Sequence, residues 1–249
     1  MKETFETIKN SSEKEEKLRL CYKNLEKYGD GIEPKIKDTI AYLNALGFNT
    51  YESCEGHVDH GDLSTYIGMK ELEQPTWRFV GEKEAFEKSA EKYGVTVSEI
   101  LEYGRPKYEV SDEKFKMNRP KNEEQIVTAM IEAYDGVPKD KETPEFVIWR
   151  AKTDELKEKL DVLVQEFYKE RIVPDDVMLK LETDNDPEFR SSYQFFLHNG
   201  GEDYGNHCDP DEREKLSDEE MNVLKKRLET RQNEMKEFTE FLKKKYNEI

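Results

Sequence analysis

"PKIKDTIAYLNALGFNTYESCEGH", Pro34 to His57, contains the change in periodicity that sets the fold. Its first half carries an apolar residue at every third or fourth position: Ile36, Ile40, Leu43 and Leu46. Pro34 suits the first turn of a helix, and Gly47 suits the position just after its end. "FNTYES" follows at once, with the composition of a short strand. The segment therefore predicts a helix that turns directly into a strand.

Further strands are predicted on both sides of this unit. "STYIGM" and "TWRFV" follow it, and "EFVIW" (Glu145 to Trp149) precedes a helix that Thr153 is expected to cap. "DVMLKLE" and "FRSSYQFFLHN" alternate apolar and polar residues as strands do. Because both halves of the chain supply strands, we expect one α+β domain over residues 1–249. It is expected to hold a single mixed sheet covered by helices.

Two helical regions are expected beside this sheet. Residues 82–140 are predicted to form a helical insertion or lid. Residues 217–248 are predicted to form a long amphipathic helix, which begins at a capping box of Ser217 and Glu220. Its apolar seam runs from Met221 to Leu242, with Arg231 in a seam position. Such a seam packs either on the body of the protein or on a second copy, so a homo-oligomer through this helix is one expected outcome.

The composition limits the classes of function. A formal net charge of −17 repels phosphate backbones, so general nucleic-acid binding is not expected. No apolar run is long enough for a membrane span, and the first residues lack a signal-peptide pattern. The chain has 3 cysteines, few and odd in number, which favours a reducing cytoplasm over a disulfide framework. The partner, a small molecule or a protein, is not identified by the sequence.

Every histidine and two of the three cysteines fall into two short segments, "CEGHVDH" and "HNGGEDYGNHC". The spacing Cys54-x-x-His57 lets both side chains reach one ion around a tight turn that Gly56 permits. His207 and Cys208 could complete a tetrahedral set of two nitrogens and two sulfurs. Zinc is the metal that suits such a set, although the sequence establishes no cofactor. His60 and His198 would then be reserve ligands or a general base.

Two other interpretations of the same segment remain open. Cys54 could be a buried, inert thiol at a strand end, with His57 bonded to the backbone. Alternatively, Cys54 could be a nucleophile, with Cys54, Glu55 and His57 as the catalytic residues. A nucleophilic thiolate needs a lowered pKa, which His57 would favour and the neighbouring Glu55 would oppose.

The pattern of Thr50, Ser53, Cys54, Gly56 and His57 resembles a set of uncharacterised bacterial and phage proteins that carry "SCEGH" or "CCSGH" between a helix and a strand. The resemblance extends to "EFYKERIVPDDVMLKLE" and "RQNEMKEFTEFLKKKY" and implies no activity. The same turn is similar to the S-S-C-S-G-R turn of the wybutosine-synthesis methyltransferase-like family, with His57 in place of the arginine. That similarity would imply S-adenosylmethionine and a tRNA substrate.

These observations lead to two hypotheses of different classes. In the first, the Cys54–His57 loop is the site of a metal-dependent or thiol enzyme that acts on a small or nucleotide-like molecule. In the second, the protein is a non-enzymatic binding or assembly protein. Its interface is then the C-terminal helix, and "SCEGH" is only a structural turn.

Overall fold

The computed structural model describes residues 11–27, 32–59, 62–103, 108–109, 116–117, 120–185, 193–201, 204 and 215–249. Its helices are α1 (Ser11–Glu26), α2 (Pro34–Ala45), α3 (Glu82–Tyr93), α4 (Val97–Tyr103), α5 (Glu123–Asp135), α6 (Pro144–Phe167) and α7 (Asp218–Glu248). Its strands are β1 (Thr50–Cys54), β2 (Tyr66–Met69), β3 (Tyr108–Glu109), β4 (Lys116–Met117), β5 (Lys180–Asp184) and β6 (Gln194–His198). The α+β class and the long C-terminal helix are confirmed. Among the described helices, none has the length and apolar character needed to cross a membrane.

The main sheet has four strands in the order β1-β2-β6-β5, and every neighbouring pair is antiparallel. This corrects the prediction of a mixed sheet. Each edge strand pairs with the strand adjacent to it in sequence, which favours antiparallel pairing, and the inner strands β2 and β6 also run in opposite directions. Strands β3 and β4 form a separate two-stranded ladder.

The two faces of the main sheet differ sharply in character. One face is apolar and belongs to the larger hydrophobic core, to which it contributes Ile67, Met69, Phe195 and Leu197. Because side chains alternate along a strand, the residues between these lie on the opposite face. Cys54, Tyr66 and His198 are cross-strand partners there, in the same row of the sheet. The strands therefore place the candidate cysteine beside a tyrosine, with a histidine on the far side of that tyrosine.

Helix α7 begins at Ser217 with the predicted capping box, since Ser217 Oγ accepts from the Glu220 amide and the Glu220 carboxylate accepts from the Ser217 amide. Its apolar face is buried within the chain: Leu228, Met235, Phe238, Leu242 and Tyr246. The Thr39 and Thr239 hydroxyls, 2.7 Å apart, join α7 to α2. From Leu228 onward, the seam that suggested self-association is thus occupied by the protein's own core, and the homo-oligomer stays a prediction.

The chain divides into two compact units. The first is formed by residues within 1–72, 152–185 and 191–249, and it contains the main sheet. The second is formed by residues within 73–151, and its core is centred on Phe86, Ile126 and Ala129. The second unit is wider than the predicted insertion at 82–140. The single domain over 1–249 and the role of a lid stay predictions.

Two predicted strands are wrong. "EFVIW" lies inside α6, which begins at Pro144, so Thr153 is an interior helix residue rather than a cap. A short apolar run fits a helix or a strand equally well. Pro144, which suits the first turn of a helix, favours the helix here. Of "TWRFV", Phe79 alone forms a β-bridge, to Glu142.

Candidate metal centre

The loop after β1 turns sharply at Gly56, which has a φ of 83°. A Cβ at this position would lie 2.6 Å from Cδ1 of Leu228 and 3.0 Å from the carbonyl oxygen of Ser64. The His57 amide donates to the Asp62 carbonyl at 2.8 Å. Both the backbone conformation and the close packing therefore require glycine, and the turn brings His57 back over the end of the strand.

Glu33 reaches this turn from the start of α2. As the residue before Pro34 it is held in an extended conformation, with φ −69° and ψ 141°. Its carboxylate makes no bond to its own helix. Oε2 instead accepts from the Glu55 amide at 2.6 Å, and Oε1 makes a short hydrogen bond with Nε2 of His57. The turn and the helix start are thereby tied together.

Glu33, Cys54 and His57 form the candidate centre. One side-chain donor atom from each lies within 4.8 Å of the other two. The set offers one oxygen, one sulfur and one nitrogen, a combination found at zinc sites. All three residues are half-buried, so an ion held there would be partly shielded from water.

Burial raises the pKa of the Cys54 thiol to about 11. Negative charge on Glu33, Asp62 and Glu55 adds to this effect, while the Gly56 amide, which donates to Sγ at 3.3 Å, opposes it. At neutral pH only about one thiol in ten thousand would be ionised, since each pH unit below the pKa reduces the thiolate tenfold. The same acidic surroundings favour a bound cation, whose charge would in turn stabilise the thiolate.

Helix α7 supports the loop through Gln232. Its Nε2 donates to the Glu55 carbonyl at 2.9 Å, and its Oε1 accepts from Lys35 Nζ at 2.8 Å. The Glu55 carboxylate accepts from the Lys35 amide at 2.9 Å, at the first turn of α2. Glu55 therefore holds the start of α2, and its catalytic role stays a prediction.

Arg231, the neighbour of Gln232, is completely buried. Its guanidinium donates to the carbonyls of Leu63 at 2.7 Å, Asp176 at 3.0 Å and Gly200 at 3.2 Å. These carbonyls belong to three separate loops, and the first of them leads from the candidate centre into β2. The seam position that looked anomalous in the sequence thus anchors the loops at this end of the sheet.

Of the other candidate ligands, His198 lies among the described residues, and it does not belong to this cluster. His198 lies on β6, where its ring stacks on Tyr204 at a centroid distance of 3.5 Å and its Nε2 lies 3.3 Å from the Glu182 carboxylate. Burial lowers the pKa of His198, which keeps its ring neutral at physiological pH. His60, His207 and Cys208 lie outside the described residues, so the ligand set of two nitrogens and two sulfurs stays a prediction.

The sequence pattern did not indicate Glu33, because that pattern consists of cysteine and histidine residues alone. A signal was available in the element lengths. Helix α2 has 12 residues, or about 18 Å, and β1 has 5 residues, or about 17 Å. A helix that reverses directly into a strand of equal length places its own start beside the end of that strand.

Comparison with protein-family models, curated proteins and solved structures finds no match to this chain. The resemblances drawn from the "SCEGH" motif stay predictions.

Proposed function

We propose that this protein is a metal-dependent enzyme in which Glu33, Cys54 and His57 hold a zinc ion. The convergence of one carboxylate, one thiol and one imidazole to within 4.8 Å carries the proposal. Three protein donors are typical of catalytic zinc sites, which keep a fourth position for water or substrate, whereas structural sites are closed by four.

The chemistry that such a centre supports is attack by a metal-activated water on a small molecule. A zinc ion held by Glu33, Cys54 and His57 would lower the pKa of a bound water to about 7 and so would supply a nucleophile at neutral pH. Asp62 is buried, with 4% of its surface exposed, and after Glu33 it is the acidic residue that most raises the pKa of Cys54. We assign Asp62 as the general base that receives the proton of the water.

The thiol enzyme is less well supported. Its nucleophile would need a lowered pKa, and burial with three acidic neighbours raises the pKa of Cys54 to about 11.

Cys21 and Cys54, the cysteines among the described residues, are both free thiols. This supports our inference that the protein works in a reducing compartment such as the cytoplasm.

Metal content tests the proposal directly. Untagged protein should contain about one zinc per chain by elemental analysis, and Glu33→Gln, Cys54→Ser and His57→Gln should each lose most of it. Cys21→Ser is the matched control, since it also replaces a half-buried thiol but lies outside the cluster. Equal metal content in all five proteins, or none in any of them, would contradict the proposal.

The enzymatic half of the proposal has its own test. Zinc-loaded protein should hydrolyse an activated ester, such as 4-nitrophenyl acetate, with a rate that rises through a single inflection near pH 7. Chelation should abolish this rate, and added zinc should restore it. Asp62→Asn should retain zinc but lose most of the rate, which would separate proton transfer from metal binding.

A further inference from the structure

A linear hydrogen-bond network leads from Lys35 on α2 to the sulfur of Cys54. Lys35 Nζ donates to Oε1 of Gln232 at 2.8 Å, and Nε2 of Gln232 donates to the Glu55 carbonyl at 2.9 Å. The next backbone amide, that of Gly56, donates to Cys54 Sγ at 3.3 Å. Each group between the two ends accepts on one side and donates on the other. The network therefore joins an ammonium group to a sulfur atom.

The direction of this network follows from the chemistry of its groups. A lysine ammonium can only donate, so the Gln232 atom that faces Lys35 is the amide oxygen. The amide nitrogen of Gln232 then faces the backbone carbonyl, which can only accept. The Glu55 carbonyl and the Gly56 amide belong to one planar peptide group and point to opposite sides of it. A donor on the carbonyl side therefore polarises the N–H bond on the sulfur side.

Helix α7 holds this peptide group from two successive turns. Nε2 of Gln232 contacts the Glu55 carbonyl and also lies 3.4 Å from the Gly56 carbonyl. Leu228, four residues earlier and so on the same side of the helix, packs closely on Gly56, where a Cβ would lie 2.6 Å from its Cδ1. The orientation of the amide that faces Cys54 thus depends on α7 as well as on the turn itself.

The sulfur at the end of the network lies in surroundings that disfavour negative charge. Burial and three nearby carboxylates raise the pKa of the Cys54 thiol, and the Gly56 amide lowers it. Hydrogen bonds arranged head to tail strengthen one another by about 10–30% per bond, because each bond polarises the next. Lys35 places a positive charge at the far end. The network therefore brings the effect of that charge to a half-buried sulfur beside acidic groups.

We propose that Lys35 and Gln232 are positioning residues, which orient and polarise the Gly56 amide and thereby stabilise negative charge on the Cys54 sulfur. Neither residue belongs to the three-residue cluster, so both act through the amide. The sulfur should then bind zinc more tightly, since the outer partners of metal ligands commonly contribute about ten- to a hundredfold to metal affinity. This consequence for zinc rests on the proposed function, whereas the polarised amide does not.

Nuclear magnetic resonance of the metal-free protein tests the inference without zinc, because a weaker hydrogen bond moves an amide proton resonance upfield. Gln232→Leu and Lys35→Met should each move the Gly56 resonance upfield, and Lys35→Arg should restore it, since arginine also donates. Lys37→Met is the matched control, because it removes a lysine from the same helix at a position outside the network. An unmoved Gly56 resonance in both Gln232→Leu and Lys35→Met would overturn the inference.

Zinc affinity distinguishes this role from a simple effect of charge. Lys35→Met removes a positive charge, so a through-space effect alone would strengthen the binding of a cation. The network predicts the opposite sign. In chelator competition, Lys35→Met should bind zinc about three- to tenfold more weakly, because Lys35 is exposed, and Gln232→Leu should bind it at least about tenfold more weakly. Zinc bound equally or more tightly by Lys35→Met would overturn the inference.

Cobalt in place of zinc reports on the sulfur itself. The sulfur-to-cobalt absorption band should move to longer wavelength in Lys35→Met and Gln232→Leu, because a sulfur with weaker hydrogen bonds gives up an electron more readily. A loss of stability alone does not move this band, and Lys37→Met should leave it in place. Wild-type protein that binds no metal would contradict the proposed function, and the Gly56 resonance would then decide the inference by itself.

Discussion

Glu33 and Glu55 each stabilise the backbone of the other's segment. The Glu33 carboxylate accepts from the Glu55 amide at 2.6 Å, and the Glu55 carboxylate accepts from the Lys35 amide at 2.9 Å. These two hydrogen bonds hold the start of α2 against the end of β1. Glu33 has a second contact that Glu55 lacks, the hydrogen bond to His57. The two glutamates should therefore respond differently to substitution.

Glu55→Ala should lower the free energy of unfolding by about 1 kcal/mol, because it removes an acceptor at the first turn of a helix. It should leave zinc binding in place, since its carboxylate is committed to Lys35. Glu33→Ala should cause a similar loss of stability and also abolish zinc binding. Chemical denaturation and zinc titration of both variants check this, and loss of zinc in Glu55→Ala would show that Glu55 is a ligand.

Gly56→Ala should destabilise the protein more than Gly47→Ala does. Both glycines have a positive φ, but a Cβ at Gly47 meets nothing within 4 Å, whereas one at Gly56 meets Leu228 and Ser64. Gly47→Ala should cost about 1–2 kcal/mol from backbone strain alone. Gly56→Ala should cost about 1–3 kcal/mol more from overpacking, and should also weaken zinc binding. Equal losses in thermal or chemical unfolding would contradict the close packing of the turn.

Arg231→Met should lower the free energy of unfolding by about 3–5 kcal/mol, because it leaves buried carbonyls and Asp176 without their charged partner. Lys225→Met, an exposed change on the same helix, should alter stability by no more than about 0.5 kcal/mol. Urea denaturation of both variants provides the comparison. A small effect of Arg231→Met would mean that other contacts hold the three loops.

Metal-free Cys54 should react slowly with iodoacetamide at neutral pH. Only the thiolate reacts, and the pKa is raised to about 11, so the rate should rise about tenfold per pH unit from pH 7 toward pH 10. Peptide mapping by mass spectrometry assigns the modification to Cys54. Bound zinc should protect the residue at every pH, and rapid alkylation at pH 7 would instead support the thiol nucleophile.

The sequence predicted the helix–strand unit and the C-terminal helix because periodicity and capping are local signals. Ile36 and Leu43 mark the buried face of α2, and Ser217 begins α7, as expected. The same local reasoning failed at "EFVIW", where a short apolar run carries no period of its own. Local sequence patterns also could not predict the strand order, because pairing between β2 and β6 depends on residues far apart in the chain.

At the centre, local reasoning found Cys54 and His57, which share one turn. Glu33 was missed because its contact with His57 spans a helix and a strand. In the sequence, Arg231 was recognisable only as a charged residue in an apolar seam. Its role as the donor to three loop carbonyls follows from the folded structure. Sequence patterns thus identified the residues within one turn, and the fold supplied their partners.

The proposed centre requires Glu33, Cys54 and His57 to bind one zinc ion. X-ray absorption spectroscopy at the zinc edge of the purified protein identifies the ligands of that ion. We predict one sulfur ligand at about 2.3 Å and nitrogen or oxygen ligands at about 2.0–2.2 Å, with the sulfur lost in any zinc restored to Cys54→Ser. A shell without sulfur, or a sulfur that persists in Cys54→Ser, would contradict the assignment.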